Sequence, residues 1–143
     1  MLHVQDFHRQ FGSNDQCLRH LFAMRFADIE CIKCSRKNAY HRHSSKQCFT
    51  CNCGRSHIYP KKGTIFEGSA ISLTKWFYAI FLMHQSPQDF TAKELEKRLK
   101  VTYPTAWRMA KRIREALPGI EERERCSGFD ALLKRCFVAP VSK

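Results

Sequence analysis

A chain of 143 residues has room for one ordinary domain or two small ones, and 43% hydrophobic with 27% charged residues is the composition of a folded protein. Lys plus Arg number 25 against 13 Asp plus Glu, a formal charge of +12. Such a balance points to a polyanionic partner, because counterion release from phosphates drives binding without any reading of sequence. Nucleic acid is preferred to anionic membrane, since no basic amphipathic surface helix or lipidation signal is visible. Met1 to Gly12 is polar and His-rich, unlike a signal peptide. The most apolar run, Trp76 to Met83, is far short of the roughly 20 residues of a membrane span. A cytoplasmic protein with no membrane partner is therefore expected. In that reducing compartment 8 Cys read as metal ligands before they read as disulfides.

In chain order, the first predicted element is a short helix from Ser13 to about Phe26. Ser13 with Gln16 fits a capping box, and Cys17, Leu18, Leu21, Phe22 and Met24 supply an apolar face. From Cys31 to about Phe66 the chain is Cys-rich and basic, with β-prone runs at His57-Ile58-Tyr59 and Thr64-Ile65-Phe66 and turns marked by Gly54 and Gly63. Ser72 to about Leu117 reads as three helices. The first, Leu73 to about His84 with Ser72 as its cap, is apolar nearly all round and suits a core position. The second, Ala92 to about Leu99, is capped by Thr91. After a break at Lys100-Val101-Thr102-Tyr103 the third runs from about Pro104 to Ala116, with Pro104 tolerated in its first turn. Pro118-Gly119 ends it. Residues 120–143 open on a charged run and lose periodicity, so a frayed helix or disorder is expected.

The cysteines carry the strongest pattern. Cys31-Ile-Lys-Cys34 and Cys48-Phe-Thr-Cys51 are two C-x-x-C pairs with 13 residues between them. Two thiolates three apart on a tight turn can face one Zn²⁺, and two such turns complete a tetrahedron with bonds of about 2.3 Å. One structural zinc on Cys31, Cys34, Cys48 and Cys51 is the favoured reading. Cys53 is the alternative to Cys48, because the following Gly54 suits the turn of a zinc knuckle. Four thiolates leave no position for a reactive water, so the site is structural. Cys17 reads as a small core residue on its helix face, and Cys126 and Cys136 are isolated. His41, His43 and His57 read as solvated loop residues.

Thr91 to Glu115 has the pattern of a helix-turn-helix. Ala92, Leu95 and Leu99 give its first helix an inner face; Ala106, Trp107, Ala110 and Ile113 give the second its inner stripe, with Trp107 and Trp76 both read as core. Arg108, Lys111, Arg112 and Arg114 remain outward. That distribution suits a recognition helix whose N-terminal part enters the major groove while its cations hold phosphates, with Thr105 and Arg108 as candidates for base contact. The expected architecture is a small α+β protein: a helical leader (1–28), a four-cysteine zinc ribbon of short antiparallel β (29–69), a three-helix helix-turn-helix bundle (70–117) and a divergent, disordered tail (118–143).

The strings themselves add a resemblance. Cys31-x-x-Cys34, HIYPKKGTIFEGS (His57 to Ser69), LTKWFYAIFLM (Leu73 to Met83) and VTYPTAWRMAKRIR (Val101 to Arg114) closely resemble one family. These are the bacterial insertion-sequence transposases with an N-terminal zinc ribbon, a helix-turn-helix and a C-terminal DDE nuclease domain. The likeness covers about Phe11 to Leu117, includes the leader Cys17 to Phe26, and touches Phe129 to Lys134. It implies a bacterial, nucleoid-associated protein that recognises the terminal inverted repeats of a transposon as double-stranded DNA. The family's second half would cut DNA through two divalent metals held by carboxylates. Here Arg135 to Lys143 follows instead, with no carboxylate beyond Asp130. The expectation is a truncated DNA-binding part without catalytic residues, and so not an enzyme.

Three departures from the family matter. It has Gly where Lys100 stands, which implies an altered turn, and Lys where Pro104 stands, which removes a phosphate contact. Its third and fourth cysteines fall on Cys51 and on Gly54, next to Cys53, which implies a weaker zinc site. Alternatives remain at this stage. The chain could regulate or inhibit transposition by pairing with full-length transposase or with itself, or draw its catalytic half from a second reading frame. It could instead be a zinc-ribbon module that binds RNA or protein.

Overall fold

The computed structural model describes residues 3–117 and 128–137. Among these residues lie six α-helices, α1 (Val4–Gln10), α2 (Asn14–Arg25), α3 (Leu73–Gln85), α4 (Ala92–Leu99), α5 (Tyr103–Ala116) and α6 (Phe129–Arg135). A three-stranded antiparallel sheet, β1 (Tyr40–Arg42), β2 (Phe49–Cys51) and β3 (His57–Ile58), sits between α2 and α3 in the chain. No helix among the described residues is long and apolar enough to cross a membrane.

Local signals start the helices. At α2 the Ser13 Oγ accepts the Gln16 N–H at 3.1 Å, while the Gln16 side chain accepts the Ser13 N–H at 3.0 Å, the reciprocal box that the sequence implies. Thr91 caps α4 and Thr102 caps α5 in the same way, each hydroxyl accepting the N–H three residues on. Ser72 precedes α3 without capping it; its hydroxyl pairs with that of Thr74 at 2.8 Å.

The centre of the core is α3, whose Leu73, Trp76, Phe77, Ala79, Ile80 and Phe81 are all buried. It meets α2, α4, α5 and α6, while α4 and α5 pack closely against each other. Trp76 is core, as expected; its indole N–H donates to Ser69 Oγ at 3.0 Å. Two elements go beyond the sequence reading, which places one helix from Ser13 in the leader and a frayed helix or disorder in the tail. In α1, Phe7 stacks on Phe81 with centroids 4.6 Å apart, and Phe11 just beyond packs on Phe77 at 5.2 Å. In α6, Phe129, Leu132 and Leu133 are buried, and Phe129 meets both Phe7 and Phe11. Residues 128–137 are thus part of the core and not a disordered tail: the three apolar side chains close the aromatic cluster over α3. The expectation of disorder for residues 118–127 and 138–143, and the isolated Cys126, lie outside the described residues.

The sheet is small. Tyr40 opposes Cys51 and Arg42 opposes Phe49, and on the other side of β2 Phe49 opposes Ile58. It joins the helices through Phe49, whose ring stacks on Phe22 of α2 at 4.0 Å, and through Arg42 Nε, which donates to Asp15 at 2.8 Å. Farther along α2, Arg25 Nη1 donates to the carbonyls of Pro60 at 2.7 Å and Lys62 at 2.6 Å. The run Thr64-Ile65-Phe66 is a turn, not a strand. Thr64 Oγ1 donates to Lys61 O and accepts the Phe66 N–H, a side-chain turn that competes with extended pairing. Gly63, at φ +81°, provides the reversal just before it.

Candidate metal centre and the outward face of α5

Four cysteines converge: the Sγ atoms of Cys31, Cys34, Cys51 and Cys53 all lie within 4.8 Å of one another. Cys31 and Cys53 are 3.8 Å apart, and Cys34 and Cys51 are 3.6 Å apart. A tetrahedral ion with thiolate bonds of about 2.3 Å requires edges of about 3.8 Å, so the donor set fits a metal closely. These separations are far beyond a disulfide bond, and the cysteines among the described residues are all free thiols.

Cys48 lies outside this group, which corrects the favoured ligand set. The spacing rule assumes a turn between two cysteines three apart, but here Cys48 stands at a bend and the chain runs directly from it into a strand. Cys48 O accepts the His43 N–H at 2.9 Å, and Phe49–Cys51 is β2. Side chains alternate along a strand, so an offset of three sends Cys48 and Cys51 to opposite faces. Cys48 is fully buried away from the cluster. The turn comes after the strand: Gly54 N–H donates to Cys51 O at 2.8 Å, with Gly54 at φ +77°, and this folds Cys53 back beside Cys51. The first knuckle is built similarly, with Ser35 N–H donating to Cys31 O at 2.8 Å and Ser35 at φ 65°.

Backbone N–H groups point at the sulfurs. Burial pushes the Cys31 thiol up, but the N–H groups of Lys33 and Cys34, with the neighbouring Cys51 and Cys34 thiols, outweigh it and bring the pKa down to about 6. The Arg55 N–H likewise lowers Cys53. At Cys51 the Cys53 N–H favours the thiolate, yet burial and the three facing thiols prevail and hold it at about 12. The cluster therefore accommodates some negative charge but resists complete ionisation, which is the electrostatic situation a divalent cation resolves. None of the three histidines joins it. Nδ1 of His41 pairs with Asn52 at 2.9 Å, that of His57 with Thr50 at 3.0 Å, and that of His43 accepts the N–H groups of Ser45 and Lys46.

The second set of expected residues lies on α5. Its inner stripe is Ala106, Met109, Ala110 and Ile113, at i, i+3, i+4 and i+7. Trp107 is not on it: the indole is 48% exposed, as is Tyr103. Reading Trp107, Ala110 and Ile113 as one stripe uses steps of three, which drift round a helix of 3.6 residues per turn; including Met109 would have set the phase. The outward stripe is Pro104, Trp107, Arg108 and Lys111, with Lys111 Nζ 5.4 Å from the Trp107 ring centroid. Thr105 is half-buried beside a groove of about 310 Å³ that Arg108, Arg112, Ser69 and Trp76 also line. Two of the expected cations are engaged by the protein itself. Arg112 Nη1 donates to Ile65 O at 2.9 Å, and Arg114 Nη2 donates to Phe90 O at 2.7 Å. They fasten α5 to the turn before α3 and to the segment before α4.

Comparison with protein-family models, with curated proteins and with solved structures gave no match.

Proposed function

We propose that this chain binds double-stranded DNA through α5, beside a zinc-held ribbon. In this reading α4 and α5 are a helix-turn-helix and the chain serves as the DNA-binding part of an insertion-sequence transposase, engaging terminal inverted repeats. The observation that carries it is the outward stripe of α5. Arg108 and Lys111 are exposed on a helix that follows a tight turn, in a chain of net charge +12. Cations left outward on a rigid helix after the protein has used Arg112 and Arg114 internally are suited to phosphates and base edges. Thr105 and the groove beside it supply polar contacts on the same side. Zinc is the proposed ion because four thiolates in a tetrahedron favour it, and its role is structural because no coordination position is left open.

Fluorescence anisotropy with labelled duplexes over a salt series tests this reading. Affinity is expected to fall steeply and linearly on a log–log plot, with a slope of about −0.9 for each phosphate engaged. Arg108→Ala and Lys111→Ala should weaken binding without changing the melting temperature, whereas Arg112→Ala should lower the melting temperature. Duplex affinity indifferent to salt, or tight binding confined to RNA or to a protein partner, would overturn it.

A further inference from the structure

The outward face of α5 is more than cationic. Tyr103, Pro104, Trp107 and Arg108 line one shallow depression at the N-terminal end of the helix. Its two large rings are each 48% exposed, whereas the other tryptophan, Trp76, is 2% exposed. Tyr103 and Trp107 are one helical turn apart and so present their rings side by side. A fold that buries Phe7, Phe66, Phe77 and Phe81 almost completely leaves these two rings out, although both stand on a well-anchored helix.

We propose that Trp107 and Tyr103 form an apolar base-reading surface that contacts the C5-methyl groups of thymine in the major groove; this rests on the duplex-binding reading of α5. Three observations select that occupant. The rings sit in the first two turns of α5, and the N-terminal part of a recognition helix is the part that reaches base edges. Their neighbours on the stripe are cations: Arg108 lines the same depression, and Lys111 Nζ lies 5.4 Å from the Trp107 centroid. The first carboxylate on that side of the helix is Glu115, one turn beyond Lys111. A second copy of this chain would set those cations against each other, whereas a nucleic acid neutralises them. Finally, thymine is the base that offers an apolar group in the major groove, where ring edges on a fixed helix can meet it without unstacking a base.

The test uses the full-length, metal-loaded chain. Duplexes enriched by the protein from a random-sequence pool are each compared with a copy in which uracil replaces thymine, so that only methyl groups are lost. The uracil copies should bind about fourfold more weakly for each methyl contacted. Trp107→Ala should narrow the gap between the two copies, and Trp107→Ala with Tyr103→Ala should bind both alike, each variant keeping its metal content and melting temperature because the side chains are half exposed. Acrylamide should quench Trp107 fluorescence in the free protein and much less in the complex, against a constant background from Trp76. Equal affinity for thymine and uracil copies, Trp107 still quenchable in the complex, or a preference for single strands would overturn the inference while leaving salt-dependent duplex binding in place. If no duplex is enriched, the inference falls together with the reading it rests on, and the enrichment step itself distinguishes the two failures.

Discussion

Between Cys31 and Tyr59 the only large apolar side chain that is buried outright is Phe49, with Tyr40 and Ile58 half-buried, and the other buried groups are Cys31, Cys48, Cys51, Thr50 and Ser56. The helices and their flanking turns, by contrast, bury Phe7, Phe11, Phe66, Phe77, Phe81, Phe90 and Phe129 in one continuous cluster. One stacked ring cannot offset the conformational entropy of about thirty ordered residues, each costing roughly 1–2 kcal/mol of backbone freedom. A core of packed aromatics can hold six helices. On the proposed metal-binding reading, the two parts of the chain are held by different physics, coordination in one and apolar burial in the other, and they meet where Phe49 stacks on Phe22. That contrast can be broken experimentally from either side.

The largest effect should come from the cysteine cluster. A strong chelator, or Cys51→Ser, should release the ion and unfold the sheet, a loss on the order of 10 kcal/mol of coordination free energy. Amide signals of β1–β3 should collapse while those of α3–α5 persist. The same assay settles the ligand set: Cys53→Ala should lose the metal and Cys48→Ala should keep it. Metal retained in Cys53→Ala and lost in Cys48→Ala would return the second C-x-x-C to the site and refute the geometry described above.

Thiol chemistry draws the same line between the two parts. Burial alone pushes Cys17 and Cys136 up to about 12. Near pH 8 the thiolate fraction of each is then smaller by about three orders of magnitude than for an ordinary thiol at 9, at one order for each unit of pKa. Cys51 is also held at about 12 in the folded cluster, but chelation should unfold the sheet and remove the burial and facing thiols that hold it there, so alkylation followed by mass spectrometry should then label Cys31, Cys34, Cys51 and Cys53 within the dead time and leave Cys17 and Cys136 untouched. The sign is fixed by which form burial disfavours. The neutral thiol is the stable one, so the protection holds below about pH 9 and fades as pH climbs towards 12. Rapid labelling of Cys17 at pH 8 would mean that the helical core opens when the metal leaves, and that the two parts are one cooperative unit.

From the other side, Phe77→Ala removes a fully buried ring at the middle of α3, touching Phe11, Phe66 and Phe129. Chemical denaturation should register a loss of about 3–5 kcal/mol, with the metal content of the folded fraction unchanged. A variant that also loses its metal under native conditions would show that the sheet depends on the helices it stacks against.

The legible parts of this molecule were those whose cause is local. The helices α2 and α4 announce themselves because a hydroxyl cap and a 3.6-residue apolar period stand in the same short window, and α5 by its apolar period and the Pro104 in its first turn, although the sequence reading leaves its Thr102 cap in the break before it. The four-cysteine centre was legible to three of its members, Cys31, Cys34 and Cys51, for the same reason. The fourth was legible only as an alternative: Gly54 pointed to Cys53, but whether Cys48-Phe-Thr-Cys51 is a turn or a strand depends on pairing with Tyr40–Arg42, a partner that spacing alone does not reveal. Likewise α1 and α6 are only seven residues each, too short to be stable by themselves. They exist because Phe7 and Phe129 find the α3 aromatics. Arg112 and Arg114 look like free cations in a helical wheel, and only the tertiary structure supplies the carbonyls of Ile65 and Phe90. Trp107 was a matter of phase, and Met109 held the information.

The smallest predicted effect concerns the turn between α4 and α5. Lys100 adopts a left-handed conformation, φ 57° and ψ 47°, as the C-cap of α4, and its N–H donates to Glu96 O at 3.0 Å. An L-residue there carries a penalty of about 1–2 kcal/mol that glycine escapes. Glycine in turn loses about 0.5–1 kcal/mol through the greater freedom of its unfolded chain. The difference favours Lys100→Gly by about 0.5–1 kcal/mol, a rise of a few degrees in the melting temperature of the helices. Because this turn belongs to the part held by apolar burial, metal affinity should not move. If it did, strain at Lys100 would have to be reaching the cysteines through α2 and the Phe22–Phe49 stack. Duplex affinity, by contrast, can shift in either direction: glycine relaxes the turn that aims α5, while the substitution also removes one cation beside it. A fall in affinity at unchanged salt slope would point to aim, and a shallower slope would mean that the lysine itself had been engaging a phosphate.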